Sequence, residues 1–232
     1  MLKNLRFFSD ERRKLTKMLS GLDRNVAVLD VGCGHGRNLL LMREMGFTNL
    51  VGVEINPILA SQVRAQGFKC YSPEELEGND SRFDMLVMSH IIEHFEYVNL
   101  KAFLERYLAY LLNNGKLVIA TPLFHDAFYN DFDHVKPYLP LGINMVFGEE
   151  VAQVQFQSST VLKLEAIDFF KDQWRVRFHP AVYKPGSQAW PIQFNRLLKL
   201  LFVLSGAMMG RKVGWIGLYR HIGQRNPGKY HS

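Results

Sequence analysis

The sequence predicts an α/β fold: a doubly wound, seven-stranded sheet that is mostly parallel, with an antiparallel last strand and helices on both faces. Three observations predict it. Short apolar runs alternate with helix-like segments between residues 25 and 122, which is the pattern that builds a parallel sheet. The first run ends in a glycine-rich turn, Gly32-Cys33-Gly34-His35-Gly36. Glu54 follows Gly36 by eighteen residues, at the tip of the second run, where a nucleoside-binding half-fold places an acid.

The individual elements follow from periodicity and from capping residues. Residues 1–22 have the apolar spacing of an amphipathic helix. Asn56-Pro57 and Ser72-Pro73 each join a capping side chain to a proline that suits a first helical turn. Asn113-Asn114-Gly115 is typical of a helix end. The predicted strands are Val26–Val31, Leu50–Val53, Phe68–Tyr71, Phe83–Met88 and Lys116–Ala120, and the predicted helices are 37–45, 56–66, one beginning at Ser72, and 100–112.

The second half of the chain is less regular, and we expect it to belong to the same single domain, 1–232. Residues 123–157 are predicted to be a loop followed by a helix, because aromatic, acidic and histidine residues dominate without periodicity before Met145. An insertion over 179–215 is then expected before the last strand. The predicted elements here are a helix over Met145–Gln157, a strand over Val161–Phe170, an extended piece over Trp174–Phe178, a helix over Arg196–Leu204 and the antiparallel strand Ile216–Ile222.

Composition limits the class of protein. The chain has 232 residues, is 47% hydrophobic and carries a net charge of +6, which permits anionic partners without demanding them. It has two cysteines, Cys33 and Cys70, so neither a disulfide framework nor a four-cysteine zinc site is expected. The first 22 residues carry charges throughout and lack the apolar core of a signal peptide. We therefore expect a cytoplasmic protein.

The spacing of the glycines indicates which nucleoside the turn would bind. Glycines occupy the first, third and fifth positions, and Arg37 stands at the sixth, where a dinucleotide fingerprint has glycine. This pattern, preceded by Asp30, resembles the first motif of class I S-adenosylmethionine-dependent methyltransferases, which have a Rossmann-like fold. The resemblance covers about residues 25–122 and implies S-adenosylmethionine as the cofactor, with a nicotinamide dinucleotide disfavoured. The cofactor-binding residues that we predict on this basis are Asp30, Gly32, Cys33, Gly34, Glu54, Ile55, Ser72 and Ser89.

A second group of polar residues, 89–94, follows the fourth strand and should lie beside the cofactor. It also matches an inverted zinc-protease signature, which belongs to a helix in a different fold. The group resembles the Glu-x-x-Glu-His turn of ubiquinone-pathway and small-RNA 2′-O-methyltransferases, in which a divalent metal can be held. His90 stands in place of the first glutamate, so we assign no metal; a softer metal on His90, Glu93 and His94 remains the alternative.

A third group follows the fifth strand and contains His134, with Asp131 and Asp133 nearby. An imidazole oriented by a carboxylate can take a proton from an acceptor hydroxyl. The alternative is that these residues only stabilise a surface loop. We therefore predict His90, His94 and His134 as the candidate catalytic residues, without ranking them.

The resemblance implies a methyltransferase that acts on an oxygen of a small molecule, lipid or glycan, with 25–122 binding the cofactor and 123–157 forming the acceptor side. The alternatives are an RNA 2′-O-methyltransferase, although nucleic acid is disfavoured as a partner, and a non-catalytic nucleoside-binding module. The apolar, basic segment 192–212 is too short and too charged for a membrane span. It is predicted to contact a membrane peripherally, or else to be buried on the sheet or in a homodimer.

Overall fold

The computed structural model describes residues 9–150, 152–176 and 189–225. Its strands form a seven-stranded sheet in the order β3-β2-β1-β4-β5-β7-β6. The strands are β1 (Ala27–Val31), β2 (Asn49–Val53), β3 (Lys69–Tyr71), β4 (Phe83–Ser89), β5 (Leu111–Pro122), β6 (Thr160–Gln173) and β7 (Gly210–Gln224). The helices are α1 (Asp10–Leu19), α2 (Arg37–Glu44), α3 (Pro57–Ala65), α4 (Pro73–Glu77), α5 (Tyr97–Leu108), α6 (Pro140–Phe147) and α7 (Ala189–Leu204), with 3-10 turns at Ile92–His94 and Phe128–Asn130.

The predicted fold class is confirmed. Strands β1 to β5 pair in parallel, and β7 pairs antiparallel to both β5 and β6. Along β1 the side chains alternate between two cores, with Val28 in one and Leu29 and Val31 in the other. Helices α1, α2 and α3 cover the Val28 side, and α4, α5 and α6 cover the Leu29 side. The chain reverses its strand order between β1 and β4, which is where such sheets bind ligands, at the carboxyl ends of the strands.

Local capping explains why the early helices begin where the sequence predicts. The Asn56 side chain accepts from the backbone N–H groups of Ile58 and Leu59, and Pro57 opens α3. Ser72 and Glu75 form a reciprocal capping box around the start of α4. These bonds are made between residues two or three apart, so the sequence alone specifies them.

Several predicted elements are wrong in their boundaries. Helix α7 begins at Ala189, seven residues before the expected Arg196, and β5 begins at Leu111, before the expected Lys116. The helix expected over Met145–Gln157 lies instead at Pro140–Phe147, because Leu139-Pro140 begins it and Gly148 ends it with an extended backbone. The helix expected to reach Leu112 ends at Leu108, since Phe83 on β4 already bonds to the carbonyl of Tyr110. Strand β7 begins at Gly210, before the expected Ile216, so the expected insertion boundary at 215 lies inside that strand.

Two expected elements fall partly outside the described residues. Helix α1 occupies 10–19 of the predicted 1–22, and residues 1–8 are not described. Residues 174–176 are described and are not part of a strand, whereas 177 and 178 of that expected extended piece are not described. Among the helices of the described ranges, none is both long enough and apolar enough to cross a membrane.

A buried carboxylate attaches α1 to the sheet. Asp10 accepts hydrogen bonds from the Arg13 side chain, at 2.6 Å and 3.0 Å, and from the backbone N–H of Lys171 on β6, at 2.9 Å. We expect Asp10→Ala to lower the free energy of unfolding by about 2 kcal/mol, because it leaves a buried backbone donor without an acceptor. Chemical denaturation measures this, with the exposed Asp23→Ala as the control. Equal stability of the two variants would contradict the assigned role.

Candidate active site

The glycine turn after β1 has a backbone that requires glycine. Gly32, Gly34 and Gly36 all have positive φ, at 64°, 54° and 76°. A Cβ added to Gly32 would lie 2.2 Å from Cδ1 of Ile91, in the turn that follows β4. The backbone of the turn therefore passes close to Ile91, and it leads directly into α2, whose N-terminus suits an anionic group.

Glu54 joins this turn to the loop after β2. Its Oε2 accepts from the backbone N–H of Gly34 at 2.8 Å, and its Oε1 accepts from that of Asn56 at 2.9 Å. The residue is buried, so the two bonds hold its carboxylate in one orientation. Each carboxylate oxygen keeps a further lone pair, which can accept from a hydroxyl group of a bound ribose.

Asp30 lies on β1, just before the turn, and is almost completely buried. Its Oδ2 has no hydrogen-bond partner in the described part of the protein. Burial raises the pKa of its carboxyl group to about 8, against a hydrogen bond from Asn38 that lowers it. Below about pH 8 burial therefore favours the neutral acid here, and a cationic group of a ligand would favour its ionised form.

The raised pKa of Asp30 predicts a pH-dependent stability. The unfolded carboxyl group loses its proton near pH 4, whereas the folded one keeps it until about pH 8, so this residue makes the folded state progressively less stable between those values. Asp30→Asn removes the titration. Without cofactor, we expect the free energy of unfolding of Asp30→Asn to exceed that of the wild type by an amount that grows from pH 4 to pH 8 and reaches a few kcal/mol.

Thermal unfolding of the two proteins across this pH range measures the effect, with the exposed Asp23→Asn as the control. A difference between Asp30→Asn and wild type that stays constant with pH would show that Asp30 is already ionised in the folded protein.

A cavity of about 350 Å³ lies over the glycine turn. Of the predicted cofactor residues, Gly32, Cys33, Gly34 and Ser89 line it. The opposite wall is made by helix α1 and the residue before it, which the sequence did not predict as part of the site. The wall residues that the sequence reasoning missed are Ser9, Glu11, Arg12 and Leu15, together with His35, Arg37, Asn38 and Leu41 around the start of α2.

His90 connects α1 to the turn after β4. It has a positive φ of 57°, its Nε2 lies 2.9 Å from Oε1 of Glu11, and its Nδ1 lies 3.2 Å from Oε1 of Glu93. Partial burial lowers the pKa of the imidazole, but the two carboxylates outweigh this and raise it to about 10. This arrangement favours His90 as the ion-pair partner of the two carboxylates, and its role as a general base stays a prediction.

Besides the buried Asp30 and Glu54, two predicted cofactor residues, Ile55 and Ser72, do not line the cavity over the glycine turn. Ile55 follows Glu54 and is 80% exposed at the same edge of the sheet. The Ser72 hydroxyl is used locally, since it accepts from the backbone of Glu75 and donates to the Glu74 carboxylate. Contact of either residue with the cofactor stays a prediction.

The other two predicted histidines lie together. His94 and His134 have ring centroids 5.0 Å apart and meet edge to face. The Nδ1 of His94 lies 3.2 Å from the carbonyl of Asp133, and the Nδ1 of His134 lies 2.7 Å from that of Phe128. A carbonyl only accepts, so each Nδ1 carries the proton and each Nε2 of the neutral ring has a free lone pair.

Hydrogen bonds fix the loop after β5, which carries His134, against the turn after β4, which carries His94. The N–H groups of Val135 and Lys136 donate to the carbonyl of Glu93, at 2.8 Å and 3.2 Å. The Tyr138 hydroxyl donates to the carbonyl of Phe95 at 2.8 Å. The loop after β5 is thereby fixed to the turn after β4, which the sequence reasoning did not foresee because the partners are about 40 residues apart.

Glu93 lies in the same cluster as His94 and His134. It is fully buried; Thr121 donates to its Oε2 at 2.9 Å, and its Oε1 lies 3.2 Å from the Nδ1 of His90. Glu93, His94 and His134 each offer one potential metal-ligating atom, and these atoms lie within 4.8 Å of one another. The residues that could hold a metal ion are therefore not the sequence-predicted trio, because His134 takes the place of His90.

The comparisons with known proteins agree with this geometry. Residues 3–167 match the family model described as a methyltransferase domain. The chain belongs to this methyltransferase family. That match confirms the predicted S-adenosylmethionine-dependent methyltransferase of class I, with S-adenosylmethionine as the cofactor. The search of curated proteins found no match.

Solved structures of methyltransferases share the fold. An S-adenosylmethionine-dependent methyltransferase from Archaeoglobus fulgidus is 20% identical, with a TM-score of 0.58 over 90% of this chain and 92% of that one. A putative methyltransferase from Bacillus halodurans is 15% identical, with a TM-score of 0.58 over 92% and 99%. Coclaurine N-methyltransferase bound to N-methylheliamine and S-adenosylhomocysteine is 14% identical, with a TM-score of 0.54 over 90% and 72%.

Proposed function

We propose that this methyltransferase transfers a methyl group to an oxygen atom of a small molecule, lipid or glycan, and that His134 is the general base. The observation that carries the proposal is the free Nε2 of His134, on a ring whose Nδ1 is fixed by a backbone carbonyl, at the same edge of the sheet as the glycine turn. A hydroxyl acceptor has to lose a proton during methyl transfer, and an imidazole with a free ring nitrogen can accept it.

S-adenosylmethionine supplies an electrophilic methyl group on sulfonium. The chain's own residues do the rest. The glycine turn and Glu54 fix the position of the nucleoside, and α1 covers that part of the edge. His134 accepts the hydroxyl proton at Nε2, and the carboxylate of Asp131, whose Oδ2 lies 3.6 Å from that atom, stabilises the imidazolium that forms.

The loop after β5 offers a surface on which an acceptor can rest. Phe124, Tyr129 and Phe132 are exposed, with Phe132 98% exposed. The rings of Phe124 and Tyr129 meet edge to face at 6.3 Å. Exposed aromatic side chains next to a base are suited to an acceptor with an apolar or sugar face. This aromatic surface favours a lipid or a glycan as the acceptor over a small charged molecule.

The test is a screen of the full chain with methyl-labelled S-adenosylmethionine against lipid, glycan, quinone and RNA fractions. We expect the label in a methyl ether, which resists mild base, or in a methyl ester, which mild base cleaves. We do not expect it in a methylated amine. Prior dialysis against a chelator should leave the rate unchanged if an imidazole alone removes the proton. Label only in RNA would instead support the 2′-O-methyltransferase, and cofactor binding without transfer to any fraction would support a non-catalytic module.

A further inference from the structure

Helix α7 presents an apolar stripe that the fold does not cover within the described residues. Trp190, Phe194, Leu197, Leu201 and Leu204 recur at intervals of three and four residues, which places them within roughly 80° of arc on one face. The exposed fractions of Trp190, Phe194, Leu197 and Leu204 are 58%, 43%, 47% and 62%. Apolar side chains aligned in this way on a surface mark an interaction site more often than scattered ones do.

A different face of α7 attaches it to the sheet. Pro191 and Phe202 are buried, and the carbonyl and side-chain oxygens of Asn195 accept from the Gln173 side chain and from the Val176 backbone, at 3.3 Å and 3.0 Å. Around the helix these three positions lie within roughly 40° of arc, centred about 120° from the middle of the stripe. The stripe is therefore not the packing face of α7.

The turn after α7 extends the apolar surface towards the active site. Met208 and Met209 are 77% and 54% exposed. The turn is held in place, because Met209 N–H donates to the Ser205 hydroxyl at 3.0 Å and Arg13 of α1 donates to the carbonyl of Gly206 at 3.1 Å. Arg13 thus links this turn to the helix that lines the cofactor cavity.

The C-terminal part of the chain, residues 173–232, has basic side chains and no acidic ones. All 22 acidic residues lie within residues 1–172, whereas residues 173–232 contain ten Lys and Arg and no Asp or Glu. Arg196 and Lys199 lie on α7 itself, roughly 120° and 180° from the middle of the stripe. Lys212 lies at the start of β7 beside Arg211, which is ion-paired with Asp126 at 2.7 Å. A helix with an apolar stripe and only basic charges on its other faces is the pattern of a helix that lies in the interface of an anionic bilayer.

We propose that α7 and the turn 205–209 dock this enzyme on an anionic membrane surface, with the stripe in the acyl boundary and Arg196 and Lys199 at the headgroups. Aliphatic side chains carry most of the stripe, which favours lipid over single-stranded nucleic acid, where stacking aromatic residues do that work. The proposal does not depend on which acceptor is methylated.

Sedimentation of the full chain with phosphatidylcholine vesicles, with and without phosphatidylserine, tests it. We expect binding that needs phosphatidylserine and weakens with salt. Leu197→Gln and Leu204→Gln should each lower the vesicle affinity about tenfold, because each withdraws one leucine from the bilayer. Ile58→Gln is the matched control, since Ile58 is 68% exposed on α3 and should bind like the wild type. Unchanged S-adenosylhomocysteine binding verifies that each variant is folded.

A second readout reports on insertion. Trp190 fluorescence should shift to the blue with anionic vesicles, and this shift should be lost in Trp190→Phe but kept in Trp174→Phe, where the other exposed tryptophan is removed. Equal binding to neutral vesicles, binding that survives the two leucine substitutions, or a stripe that instead mediates a dimer or RNA binding in solution would each overturn the proposal.

Discussion

Replacing Gly32 with alanine is expected to weaken the binding of S-adenosylhomocysteine by about 10- to 100-fold. The added Cβ would meet Cδ1 of Ile91 at 2.2 Å, and the backbone at this position has a φ of 64°. Backbone strain of this kind costs on the order of 1–3 kcal/mol, and the end of the Ile91 side chain has to turn aside as well. Calorimetric titration measures the loss of affinity.

Two further variants separate strain from collision. Gly67 has a φ of 85° and open space where a Cβ would lie, so Gly67→Ala imposes backbone strain without a clash, away from the site, and should bind as the wild type does. Ile91→Ala combined with Gly32→Ala removes the colliding atoms and should recover part of the affinity. Normal binding by Gly32→Ala alone would mean that this turn does not hold the cofactor.

The parts of the site that the sequence predicted are those fixed by local structure. Gly32 and Gly34 are needed for a positive φ, and Asn56 caps a helix two residues away; both requirements appear directly in the residue types. Glu54 was predictable because parallel strands β1 and β2 must place their carboxyl ends side by side. The cofactor half of the fold therefore follows from residues close together in the chain.

The parts that were missed depend on contacts between distant residues. Glu11 meets His90 across 79 residues, and nothing near either residue announces it. That contact, together with the one to Glu93, raises the pKa of the His90 imidazole and so makes it a weaker candidate for the base than the sequence suggests. Likewise, His134 joins Glu93 and His94 only because the loop after β5 is bonded to the Glu93 carbonyl. The chemical role of each histidine in this site depends on its contacts with residues that are distant in the sequence. The residue type alone therefore could not decide which of the three histidines is the base.

Prediction from the sequence was also limited on the acceptor side, 123–157. Proline at 140 is a clear helix start, but the surrounding run of Leu, Ile, Met and Val has no strong apolar face to mark where the helix ends. The sequence therefore placed a helix in the right region and in the wrong position. The loop before it, which carries His134, has no periodic signal because backbone bonds and single side chains define its shape.

Substitution of His134 by asparagine should lower kcat by about 10² to 10⁴, once an acceptor is in hand, while the KM for S-adenosylmethionine changes little. Asparagine is chosen because its side-chain NH₂ can replace the Nδ1–H donor that binds the Phe128 carbonyl at 2.7 Å, so the loop keeps its anchor. What is lost is the Nε2 lone pair. His125→Asn is the matched control in the same loop, since its Nδ1 only accepts from the Ala127 backbone.

The acidity of the acceptor then distinguishes a base from a structural histidine. His134→Asn should lose less rate with an acceptor analogue whose hydroxyl is more acidic, because such a hydroxyl needs less help in losing its proton. A merely structural role would lower the rate by the same factor for every analogue. If His134→Asn keeps the wild-type rate with every analogue while His94→Asn loses it, the neighbouring imidazole removes the proton, and our assignment of His134 is wrong.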